Sequence, residues 1–189
     1  MPTYLTGETI LEAPINNVIV YPYCSNVGLD HEGELETYLS IMSTMSIDAG
    51  IELGLRNQNR KLTLPGETPF EDLANTTDLM GARATHAGIA EGALDRLYSL
   101  NDGRPLNNTY LQSQGVKEHN DDKNEDLDSS VVVALDYHIA RVCGAMAAYQ
   151  AAPRFAVTVE SILQARGIHD YDNTCQLLMV CDVARNLPN

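Results

Sequence analysis

Five histidines, four cysteines and a scatter of carboxylates are the residues of this chain that could do chemistry. Their spacing decides which of them can act together. His86 and His138 both fall on stretches of helical periodicity, and two packed helices could bring them side by side as metal ligands, with Glu91, Asp95 and Asp136 as the available carboxylates. Neither histidine sits in a Glu-x-x-His pair or a His-Glu-x-x-His run, the spacings used by di-iron and zinc-protease sites. A hydrogen-bonding or capping role inside the fold is therefore the plainer expectation for both. Cys24, Cys143, Cys175 and Cys181 form no Cys-x-x-Cys pair and read as buried free thiols. Asp122, Asn124, Asp126 and Asp128 alternate like a calcium loop, but the loop's required Gly is Leu127 and its closing Glu is Val133. No Gly-x-Ser-x-Gly elbow and no glycine-rich phosphate cradle occurs. On these grounds no catalytic, cofactor-binding or metal residues are assigned, no cofactor is expected, and the chain reads as a non-enzyme.

The 189 residues carry a formal net charge of −14, with only twelve Lys and Arg. Such a surface repels phosphate backbones and anionic bilayers, so direct nucleic-acid binding and membrane association are not expected. No run approaches the roughly 18 uncharged apolar residues of a membrane span. The first residues lack the basic and apolar regions of a secretory signal. The expectation is a soluble protein of intracellular origin, one assembled into a virus particle included.

The elements that must position these residues read as mainly helical. Residues 1–29, broken by Pro2, Pro14 and Pro22, form an extended arm or edge strand with a β-type run at Asn17–Tyr21. Residues 30–189 form an α-helical domain. A first helix runs from Glu34 to Leu55, with Leu35, Leu39, Met42, Ala49 and Leu53 on one face. Thr68-Pro69-Phe70-Glu71 has the form of a capping box opening a second helix to Leu100. Residues 101–125 are polar and aperiodic, and read as a long loop. Val131, Leu135, Ile139, Val142, Met146 and Tyr149 recur every three or four residues, which predicts a long central helix between Asp126 and Pro153. Shorter helices follow at Arg154–Arg166 and from Asp172. The fold class expected is a mainly α bundle of four to five helices with an extended N-terminal segment.

The stretch Leu127-Asp128-Ser129-Ser130-Val131-Val132-Val133-Ala134-Leu135-Asp136-Tyr137-His138-Ile139-Ala140-Arg141-Val142-Cys143, followed by Pro153 and a further apolar-periodic segment, resembles the helical core of tailed-phage head–tail adaptor (connector) proteins. The resemblance covers about half the chain and implies a helical, non-enzymatic, ring-forming component that docks through extended arms.

The functional expectation is thus a non-catalytic structural or assembly protein. It would act as a homo-oligomer with other structural proteins of the same assembly, a virion head–tail connector being the sharpest form. Two alternatives stand beside it. One is a helix-bundle metal-binding protein or enzyme using His86 and His138. The other is an acidic inhibitor that binds a basic protein surface.

Overall fold

The computed structural model describes residues 2–23, 25–56, 60–66 and 73–167. It overturns the helix-bundle expectation. The chain forms an α/β fold built on a six-stranded parallel sheet. In chain order the elements are β1 (Thr3–Tyr4), α1 (Gly7–Glu12), β2 (Asn17–Val20), β3 (Ser25–Leu29), β4 (Leu35–Leu39), α2 (Ile41–Leu55), β5 (Lys61–Pro65), α3 (Thr76–His86), β6 (Leu94–Leu97), α4 (Thr109–Lys123), β7 (Ser130–Ala134), α5 (Asp136–Ala148), β8 (Phe155–Thr158) and α6 (Val159–Ala165). The sheet order is β1-β8-β7-β2-β5-β6, and β3 and β4 pair separately as an antiparallel hairpin.

The physical reason for the correction lies in the strands. A parallel strand covered by helices on both faces is apolar at nearly every position, so it shows no alternation of two. Val131, Val132, Val133 and Ala134 are all fully buried, and so are Val18, Ile19 and Val20. Their side chains divide by parity. Val18, Val20, Leu62, Leu64, Val131, Val133 and Val157 pack with α1, α2, α3 and α6, whereas Ile19, Tyr21, Val132, Ala134 and Ala156 pack with α4 and α5. Three layers result, with two separate cores on either side of the sheet.

Each boundary drawn from the sequence shifts accordingly. The Asn17–Tyr21 run belongs to the centre of the sheet, while the edge strand of the N-terminal segment is the two-residue β1. The helix expected from Glu34 begins only at Ile41, after Ser40 caps it, because Leu35–Leu39 pairs back on Ser25–Leu29. The tip of that hairpin is held by Asp30, whose carboxylate accepts from the Glu32 and Glu34 amides, with Gly33 at φ 86°. The expected second helix contains α3, a 3₁₀ turn and β6. Its supposed capping box at residues 68–71, the helix expected from Asp172, and Cys24, Cys175, Cys181 and His169 lie outside the described residues. The polar segment 101–125 contains α4, capped by Asn108 at its start and by left-handed Asn124 at its end.

Candidate functional site

Outward from β2, the chain passes through β5 and β6 on one side, then crosses back to place β7 and β8 on the other. Loops leaving two adjacent parallel strands in opposite directions open a crevice at their carboxyl ends, the usual binding place of doubly wound sheets. Here the two strands are β2 and β7. A cavity of about 280 Å³ lies at that edge, lined by Pro22, Tyr23, Asn107, Asn108, Thr109, Tyr110, Gln112, His138 and Arg141. Three pieces of chain build it: the exit of β2, the start of α4 and the start of α5.

The helical starts fix the geometry. Leu135 turns the chain straight from β7 into α5, accepting from the His138 and Ile139 amides. His138 and Arg141 are then three residues apart on one face. On the neighbouring helix the Asn108 carboxamide accepts from the amides of Tyr110 and Leu111, both at 3.0 Å. Thr109 and Gln112 are likewise three apart. Two such pairs, from adjacent helices, share the cavity.

His138 is the centre of the site. It is buried at 4% exposure, and its Nε2 lies 3.1 Å from Thr109 Oγ1. Three tyrosines enclose the imidazole: Tyr137 stacks on it at 6.3 Å between centroids, and Tyr21 and Tyr23 each present an edge at 6.4 Å. Burial, with the Arg141 charge acting in the same direction, brings the His138 pKa down to about 4. The ring is therefore neutral near pH 7, with one nitrogen able to donate and the other to accept. Behind it, Ser113 Oγ donates to the Thr109 carbonyl at 2.8 Å, so the Tyr21 hydroxyl, 2.9 Å away, is the donor in its pair with Ser113. This chain of contacts ties β2 to α4 and fixes Thr109 in front of His138.

The other residues singled out by type fall elsewhere. His86 ends α3 and borders a separate cavity with Asp48, Glu52 and Arg83, on the opposite face of the sheet from α5. His86 and His138 are not brought together, and no metal-ligating group of three or more His, Cys, Asp or Glu exists among the described residues. Glu91 pairs with Arg96. Asp95 contacts Lys123 at 2.6 Å and His119 at 3.3 Å. Burial alone would raise Asp95, but His119 and Lys123 outweigh it and hold its carboxyl at about 2. Asp136 opens α5, where its amide donates to Glu160. The calcium-like residues serve as local caps: Asn124 closes α4, and Asp126 accepts from the Asp128 amide. Cys143 is a buried free thiol on α5, as its pattern implies.

Thr109, Gln112, Arg141 and Tyr23 were not marked by any motif. The available signals were Asn107-Asn108-Thr109 as a helix cap, and an apolar run, Val131 to Leu135, leading directly into His138 and Arg141. In comparisons with protein-family models, with curated proteins and with solved structures, nothing matches this chain significantly.

Proposed function

We propose that the protein binds a small polar ligand in the carboxyl-edge crevice between β2 and β7, and that neutral His138 exchanges a hydrogen bond with it. One observation carries this reading: the cavity at the sheet's switch point is also where a buried imidazole sits with its pKa moved to about 4. A neutral imidazole held by Thr109 is equipped to accept a hydrogen bond from a bound polar group, or donate one to it, without taking up its proton. The test is a thermal-shift screen of small metabolites on the intact chain. A ligand at saturation is expected to raise Tm by several degrees, and by far less in His138→Gln. Hits that stabilise the wild type and His138→Gln equally would remove the crevice from consideration.

The expectation of a homo-oligomeric assembly component keeps separate support. Leu29 and Leu35 face each other across the hairpin and are 70% and 63% exposed, with Val27 beside them. Light scattering with Leu29→Lys decides it: a multimer that dissociates on this change supports assembly through the hairpin. No helix among the described residues is long and apolar enough to cross a membrane.

A further inference from the structure

We infer that the ligand of this crevice carries a phosphate group, held by Arg141, Gln112 and the first backbone amide of α4; the inference rests on the crevice being the binding site. The first support is the distribution of charge. The chain has 26 acidic residues against 12 basic ones, yet no Asp or Glu lines the cavity, and Arg141 does.

Arg141 itself is the second. Among the described residues most other cations are already engaged. Arg83, Arg96, Arg104 and Arg166, like Lys61, Lys117 and Lys123, pair with carboxylates. Arg60 spends its guanidinium on three backbone carbonyls. Arg141 has no ion pair or hydrogen bond to any described residue, and its exposed side chain borders the cavity.

The third is Gln112. Its side chain is 4% exposed, lines the same cavity, and makes no hydrogen bond to any described residue. Its carboxamide borders the cavity with its hydrogen-bonding capacity free for a bound group. Beside it, the Asn108 carboxamide takes the Tyr110 and Leu111 amides and leaves the Thr109 amide pointing out of the helix start. That amide carries the positive end of a 15-residue helix. A guanidinium fork, a carboxamide and a backbone amide from two helices reach an anion from several directions. A tetrahedral phosphate offers acceptors in all of them, whereas a planar carboxylate does not.

The experiment is a titration of the intact protein with inorganic phosphate at pH 7.5, against sodium chloride of equal ionic strength and against acetate. The readout is the NMR shift of the Thr109 amide, the Gln112 carboxamide and the Arg141 Nε–H. Saturable shifts confined to these groups are expected with phosphate, weaker ones with acetate. Binding should be lost in Arg141→Gln and weakened on the order of tenfold in Gln112→Leu. Acetate binding as tightly as phosphate overturns the assignment, as do phosphate shifts spread equally over the starts of α2 and α3. If phosphate fails while an uncharged ligand still moves the His138 ring, the phosphate subsite is wrong and the crevice reading survives. If neither moves these residues, both fall.

Discussion

Lowering the pH from 7.5 to 5 should destabilise this protein through His138. The folded pKa is about 4 against 6.5 for an unperturbed histidine. Above pH 6.5 the ring is neutral in both states and nothing is lost. Below 6.5 the unfolded chain takes up a proton that the folded chain refuses, so stability falls until the folded ring also protonates near pH 4. At about 1.4 kcal/mol per pH unit the full window is worth about 3 kcal/mol, of which about 2 kcal/mol is gone by pH 5. The groups facing the ring are Tyr21, Tyr23 and Tyr137, the Thr109 hydroxyl and the Arg141 guanidinium; the last reinforces the effect of burial. His138→Gln removes the titration and retains a hydrogen-bonding group for Thr109. Urea denaturation at pH 7.5 and 5.0 should show the wild type losing about 2 kcal/mol more than the variant. A ring titration by ¹⁵N NMR should place His138 near 4, and Arg141→Gln should move it upward. Parallel losses in the two proteins, or a ring that titrates near 6.5, would refute the argument from burial.

Three further perturbations probe the frame that holds the site. Arg60 is 6% exposed and donates to the carbonyls of Ala13, Ile15 and Leu53. Arg60→Met should cost about 3 kcal/mol or more in chemical denaturation, since it leaves three buried acceptors unpaired. Gly7 stands where a Cβ would meet the Ser161 carbonyl oxygen at 2.1 Å. Gly7→Ala should force α1 away from α6 and lower stability by about 1–3 kcal/mol, read as a drop in Tm. Asp95 sits near 2 rather than 3.8, so its contribution is present above pH 3.8 and is lost as pH falls through 2. Asp95→Asn should cost about 1–2 kcal/mol at pH 7 and nearly nothing at pH 2.

Some of this was legible in the residues and some was hidden by the fold. Ile139, Val142 and Met146 are core positions of α5, as their spacing implies. Val131 joined the same pattern by coincidence, because a strand buried on both faces supplies an apolar residue at any spacing. Buried Leu94 and Leu97 of β6 were likewise drawn into one long helix, whereas Leu35 and Leu39 fell into the helical spacing of α2 although they belong to the largely exposed hairpin strand β4. α4 escaped notice because its buried face is largely polar: Gln112, Ser113 and Asn120 share it with Val116. Hydropathy sees no face there, although Asn108 and Asn124 mark both ends. For the site, residue type singled out His138, but its partners come from separate elements and share no motif. His86 was coupled to it by type alone, and the sheet stands between them.

The proposed function rests on one place, the cavity where β2 and β7 end, and a map of ligand-induced shifts tests it most directly. Backbone amides should be followed in the intact chain as the best ligand of the screen is added. Changes confined to residues 22–23, 107–112 and 138–141 are the expected result. Changes centred on the cavity at Lys61 and Glu125, on the hairpin at Leu29 and Leu35, or on His86 would contradict it.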